Sequence, residues 1–274
     1  MSGLTQTLGA PRSARLAYYL RVLRVVAGIE FKMKYAESVM GYAWSLAKPL
    51  AYFAVLWIVF AHVFDQKTSV ENFALYLIVG LVLYLFFIDA VGMAMTSIVA
   101  RGSLLRRLAF SPLVIPISVT ATAALTFAVN LIAVTVFVVV ARVTPDIDWL
   151  LILPLLAELY AFVLGIGLLL ATLFVRFRDV AQIWELFSQL LIFMTPIMYP
   201  LSVLPSWAEK LFFLNPLAQV MQDMRALMLE GDLETVSSVL GPGGRLVPVA
   251  IAIGTLAFGV WLFRREAPRF AERV

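Results

Sequence analysis

Residues 73–98 form a run of twenty-six side chains in which Asp89 is the one formal charge. Wound into an α-helix, a run of that length reaches about 39 Å, more than the roughly 30 Å of hydrocarbon in a bilayer. In lipid every backbone N–H and C=O must be bonded within the segment, and a helix does that. Five further stretches have the same character: residues 46–63, 113–141, 149–175, 183–199 and 247–263. Those at 113–141 and 149–175 are long enough to tilt or to protrude. Of the 274 residues only 14% are charged, against about a quarter in soluble domains. The chain therefore reads as an all-α membrane protein with six transmembrane helices.

The basic residues orient it. With the N-terminus placed inside, sixteen of the 21 Lys and Arg fall in cytoplasmic segments, and the outer segments hold Lys67, Arg142, Lys210, Arg225 and Arg245. Nine acids lie outside: Asp65, Glu71, Asp146, Asp148, Glu209, Asp223, Glu230, Asp232 and Glu234. The positive-inside rule thus predicts both termini in the cytoplasm of a plasma (inner) membrane protein. The net charge of +4 is a topology signal on this reading, and no nucleic-acid partner is expected. Three parts follow: a tail with amphipathic interface helices (1–45), a transmembrane domain (46–263) and a cytoplasmic tail (264–274).

The stretch before the first span is amphipathic. Glu30, Lys34, Glu37, Gly41, Ser45 and Lys48 share one helical stripe, and Tyr35, Ala36, Val39, Tyr42, Ala43 and Leu46 lie on the other side. This is the pattern of a helix lying on the membrane surface. Pro49 breaks the pattern and the chain enters the first span, so a push on the surface helix reaches that span. The first inner loop, residues 101–112, is basic through Arg101, Arg106 and Arg107; the second is a tight hairpin at 176–179. The outer loop 200–246 holds Trp207, Leu211, Phe212 and Phe213. Asn215-Pro216 and a helix running to Glu230 follow. Two short outer helices dipping back toward the bilayer are expected there, Pro216 opening the second and Gly231 closing it.

Several chemistries are missing. No G-x-x-x-x-G-K-[ST] motif is present, so a P-loop for ATP is not expected in this chain. The lone histidine, His62, cannot build a metal site. Gly165-Ile166-Gly167 sits inside a span and reads as a packing site. Two carboxylates, Asp89 and Glu158, lie within spans and are functional candidates on that ground, with no base expected at the same depth. Aromatic residues recur on single faces: Phe53, Trp57, Phe60 and Phe64; Phe73, Tyr76, Tyr84 and Phe87; and Trp184 and Phe187, continued by Leu191, Met194 and Met198. Such stripes serve ordinary packing or lipid contact. They would equally line a conduit whose flat faces let sugar rings slide. Periodicity leaves both readings open.

Four motifs in order resemble one family, the membrane permease subunit of ABC exporters for polysaccharides and polyol phosphates (O-antigen, capsule and teichoic-acid export). They are the basic interface helix with Ser38, Met40, Gly41, Tyr42, Trp44 and Pro49; the turn Phe177-Arg178-Asp179; TPIMYP at 195–200; and Asn215-Pro216 followed by Arg225. The arginine that often precedes the acidic position of the interface helix is absent before Glu30. The resemblance implies a homodimer working with two copies of a separate P-loop ATPase, which binds ATP and Mg; this chain has no cofactor of its own. It implies that Glu30, Lys34, Glu37, Arg101, Arg106, Arg107, Arg178 and Asp179 contact that ATPase. Phe53, Trp57, Phe60, Phe64, Tyr84, Phe87, Trp184, Phe187 and Met194 would line the conduit, and Trp207, Phe212, Asn215, Pro216 and Arg225 would form an outer gate. A lipid-linked glycan or polyol phosphate would be the cargo, in contact with membrane lipid. A drug or small-lipid exporter of the same fold, or a membrane-embedded glycolipid enzyme, is the alternative. The enzyme would need acid, base and nucleophile at one membrane level, and Asp89, Glu158 and His62 lie at three.

Overall fold

The structure, a computed structural model, describes residues 28, 43–60, 72–102, 111–229 and 233–273. Ten helices order these residues: α1 (Ala43–Ile58), α2 (Phe73–Ala100), α3 (Val114–Val140), α4 (Ile152–Arg176), α5 (Val180–Met194), α6 (Ser206–Leu214), α7 (Pro216–Met228), α8 (Val236–Leu240), α9 (Leu246–Glu266) and α10 (Phe270–Arg273). No strand occurs among the described residues. Four helical segments are long and apolar enough to cross a bilayer: Phe73–Ala100, Val114–Val140, Ile147–Arg176 and Leu246–Arg269. Two shorter apolar helices, α1 and α5, accompany them.

α2 is the axis of the molecule. It is apolar on every side, and such a helix has to be enclosed. It packs against α1, α3, α4, α5 and α7 and is buried along nearly its whole length. α3 carries Ser118, Thr120, Thr122, Thr126 and Thr135, and each hydroxyl donates to the carbonyl four residues earlier. No polar hydrogen on that helix is left facing hydrocarbon by these groups.

α4 and α9 form the closest pair, and glycine is the reason. A Cβ on Gly165 would lie 2.6 Å from the Leu256 backbone nitrogen, and one on Gly259 would lie 2.5 Å from the Gly165 carbonyl oxygen. Only bare backbones fit at that crossing. At the far end of α9 the chain turns through Ala267–Arg269, and Phe270 folds back on Phe263 edge to face at 5.0 Å. Both rings are enclosed with Ile98, Ile115, Leu168 and Val175.

α5 departs from the expected span. The run of apolar residues predicts a helix over 183–199, but the helix occupies Val180–Met194. The break is at Thr195, which is extended with φ −113° and ψ 140°. Pro196 explains it: the ring excludes the helical conformation for the preceding residue and supplies no N–H. The early start follows from the 176–179 turn, after which Val180 is buried at once.

Candidate functional site

Two polar constructions stand out within this apolar scaffold. One is at the α1–α2 contact and the other is under α7.

At the first, Lys48 Nζ lies 3.0 Å from Asp89 Oδ1 and 3.3 Å from Oδ2. The expectation that Asp89 has no base at its depth is therefore corrected. Lys48 sits one residue before Pro49 and one turn inside α1, so counting it with the surface helix hid its reach. The pair lies about 17 Å along the helix from the Ala100 end of α2. Its two side chains remain 47% and 46% exposed. Asp89 also borders a small cleft with Thr126 and Asn130 of α3. The Asn130 Oδ1 atom there is buried without a hydrogen-bond partner. On the same free side of α1 as Lys48 lie Trp44, Tyr52 and Val55, exposed by 58%, 48% and 62%.

The second construction centres on Arg225 of α7, which is wholly buried. Its Nε donates to the Tyr76 carbonyl at 2.9 Å, Nη1 to Pro196 at 2.5 Å and Nη2 to Ile197 at 3.0 Å. The guanidinium also lies 3.5 Å from the centre of the Tyr76 ring. A planar fork with five donors suits three diverging carbonyls, which a lysine could not serve together. Gly80 makes the space, since a Cβ there would stand 2.2 Å from Arg225 Nη2. Tyr76 Oη in turn donates to the Tyr199 carbonyl at 2.9 Å. Residues 196–199 follow α5 outside any helix, and Arg225 and Tyr76 bond the Pro196, Ile197 and Tyr199 carbonyls that no helix there can use. Two turns along α2, Tyr84 Oη donates to the Ser188 carbonyl at 2.5 Å. The tyrosines of α2 therefore act through their hydroxyls, docking α5 and its irregular end. A sequence stripe shows the rings and hides this.

α7 is held from its other side as well. The Asn215 side chain accepts from Leu217 N at 3.1 Å and caps the helix, with Pro216 in its first turn. Asp223 accepts from Gln219 Nε2 at 2.7 Å and from Val236 N at 3.0 Å, tying α7 to α8. Nearby, burial first and then the charge of Glu209 raise the pKa of Glu234 above the usual carboxylate range. α6 leaves Trp207 66% exposed, while Phe212 meets Tyr199 edge to face at 6.4 Å.

The remaining expected residues fall into three groups. Phe53, Trp57 and Phe60 pack partly buried against the core, Phe53 edge to face on Phe137 and Trp57 stacked near Phe73. Tyr84, Phe87 and Trp184 are buried within the chain, and Phe187 and Met194 of α5 are exposed. Arg178 and Asp179 project from the fully exposed 176–179 turn, where Arg178 lies 5.1 Å from the Phe174 ring. Arg101 caps the end of α2. Glu30, Lys34, Glu37, Phe64, Arg106 and Arg107 lie outside the described residues.

The profile of the ABC-2 type transporter membrane family matches residues 21–229, three-quarters of the chain. The chain belongs to the ABC-2 type transporter family. It is a multi-pass membrane subunit of an ABC transporter, and the partner such a subunit implies is an ATPase. This ABC-2 chain is also similar, at 28% identity over 260 residues, to an O-antigen export system permease protein RfbA of Klebsiella pneumoniae. The alignment covers 94% of this chain and 96% of that protein. A second Klebsiella pneumoniae protein of the same name is 29% identical over the same shares. One from Myxococcus xanthus is 27% identical over 247 residues, covering 89% of this chain and 92% of that one. Both polar constructions lie within the matched region.

Proposed function

We propose that the chain is the transmembrane half of an ATP-driven exporter that moves a lipid-linked polysaccharide of the O-antigen type out across the inner membrane. The observation that carries this reading is the near end-to-end likeness to three O-antigen export permeases. The working unit is a homodimer with two copies of a separate P-loop ATPase, which holds ATP and Mg. Six spans, counting α1 and α5, put both termini in the cytoplasm, and α6 and α7 form re-entrant outer helices.

The Lys48–Asp89 pair supports the placing of the path. A half-exposed ion pair at membrane depth is costly against lipid and is at home against a water-filled cavity or a second protein surface. The free side of α1 with Trp44, Lys48 and Tyr52 is therefore assigned to the path. The exposed face of α5 with Phe187 and Met194 completes it across the dimer. Phe53, Trp57, Phe60, Tyr84, Phe87 and Trp184 support that lining from behind, and Phe64, outside the described residues, is assigned to the conduit by resemblance. On the cytoplasmic side the interface helix with Glu30, Lys34 and Glu37, the loop with Arg101, Arg106 and Arg107, and the turn at Arg178 and Asp179 receive the ATPase. Trp207, Phe212, Asn215, Pro216 and Arg225 hold the exit.

Native mass spectrometry of the complex, gently extracted from its own membrane, tests the assembly. Two copies of this chain with two of a P-loop ATPase are expected, with glycolipid retained; repeated recovery of this chain without any ATPase overturns the reading. The path is tested by charge. Lys48→Met and Asp89→Asn each leave a lone charge and should lower export at least several-fold. The exchanged K48D/D89K chain should recover part of the loss, and wild-type export in both single variants would remove the pair from the path. Arg178→Glu should separate ATP hydrolysis from export, leaving the protein in the membrane and turnover in detergent intact while transport falls.

A further inference from the structure

The side of α9 turned away from α4 has an order of its own. Pro248, Ala252, Gly259 and Phe263 are buried toward the body of the protein. Opposite them, Ala257, Phe258, Trp261, Arg264 and Arg265 share one helical face at spacings of three and four. Phe258 and Trp261 are 54% and 52% exposed and stack on each other with ring centres 5.6 Å apart. The Arg265 guanidinium stands 5.5 Å from the centre of the Trp261 ring. A groove of about 450 Å³ runs along this face between Ala257, Val260, Trp261, Arg264 and Arg265. At Gly254, one turn further into the membrane, even an added Cβ would meet nothing.

Among the described residues the charges of this face are unmatched. Glu266, the neighbouring acid, is engaged with Arg269 at 2.9 Å. Neither Arg264 nor Arg265 forms an ion pair among the described residues. The packing of Phe270 on Phe263 anchors the end of α9, so the two arginines are held one turn beyond an exposed tryptophan. An apolar groove, an indole at its rim and two guanidinium groups above it match acyl chain, glycerol backbone and phosphate in that order. Arginine pairs with phosphate in a two-pronged fashion, and tryptophan favours the level of the headgroups.

We propose that this face of α9 binds an anionic phospholipid of the cytoplasmic leaflet. The proposal uses the orientation given above for α9 and is independent of the exported cargo. The occupant is a bilayer lipid because the face points outward from α4, the helix on which α9 mainly packs, and the two guanidinium groups call for an anionic one. The bound lipid fixes the inner end of α9 at the membrane surface while the rest of the subunit moves.

The test uses the full-length protein in nanodiscs that contain phosphatidylglycerol or phosphatidylcholine brominated on the acyl chains. Six tryptophans emit, and the difference between the wild type and Trp261→Phe isolates the signal of Trp261. Brominated phosphatidylglycerol is expected to quench that signal at a mole fraction many-fold lower than phosphatidylcholine does. Each arginine near the surface contributes roughly five-fold, so R264Q/R265Q should bring the two lipids level. Equal quenching by both lipids in the wild type overturns the proposal, as does a preference that survives R264Q/R265Q. Absence of quenching by either lipid would show the face covered by protein and overturns it too. Displacement of the brominated lipid by a small fraction of a polyprenyl diphosphate would give the face to a transported lipid instead, with the same consequence.

Discussion

Replacing Arg225 by methionine should unfold the region around α6 and α7 well before the rest of the protein. Methionine fills much of the volume but takes the guanidinium bonds away from the carbonyls of Tyr76, Pro196 and Ile197, of which Tyr76 keeps its bond within α2 and Pro196 keeps a 3.4 Å contact from Tyr76 Oη. A buried polar group that loses its partner costs about 1–3 kcal/mol, and the Ile197 carbonyl bears that loss in full while the Pro196 carbonyl bears part of it. The expected destabilisation is on the order of 3 kcal/mol or more, with export abolished. Arg225→Lys should recover little, because one ammonium group cannot reach three diverging acceptors. Gly80→Leu attacks the same contact from the other helix and should resemble Arg225→Met. Thermal unfolding of the purified protein, followed by size-exclusion of the surviving fraction, reads all three. An unchanged midpoint in Arg225→Met would mean that the end of α5 is held by something else.

The second large effect is expected at the α4–α9 crossing. Gly165→Leu places a side chain where the Leu256 backbone already stands within 2.6 Å of a single added carbon. Neither partner is a flexible side-chain tip, so the helices must separate along their length. Overpacking of a core costs about 1–3 kcal/mol when side chains can adjust; here backbone must move, and loss of the folded protein from the membrane is expected. Gly165→Ala should show the same defect in weaker form. Ile253→Ala, on the exposed side of α9, should fold as the wild type does. Protein recovered after mild detergent extraction distinguishes the series, and a well-folded Gly165→Leu would show that the two helices are not held at this distance.

The long helices were legible because unbroken apolar runs admit few other structures in a membrane. Gly165 was legible as a packing residue for a related reason: a glycine inside a span has little else to offer. The functional side chains were harder, and the cause is specific. Tyr76, Tyr84 and Phe87 share a stripe on α2, but a helix enclosed on every side has no free face for a stripe to mark. Periodicity therefore could not separate them from Phe187 and Met194, which do face outward. Arg225 reads as an outer-loop cation by charge and as a gate residue by resemblance; nothing local marks it as buried and bonded to carbonyls 29 residues earlier. TPIMYP carries the clue: a proline ends the helix within an apolar run, and the carbonyls of the irregular segment that follows need a donor. Lys48 was misread by one turn for want of a partner in the sequence neighbourhood; Asp89 is 41 residues away.

The early end of α5 has a consequence for the membrane itself. Fifteen helical residues reach only about 22 Å, several ångströms short of the hydrocarbon layer that the neighbouring helices cross. Lipid next to such a helix must thin, or water and polar backbone must fill the shortfall. The barrier that opposes a hydrated sugar grows with the thickness of low-dielectric material it has to cross. A short helix whose end bends under an arginine is expected to make a local dip in that barrier. A polar cargo passing beside α5 would meet a thinner barrier than beside the longer helices.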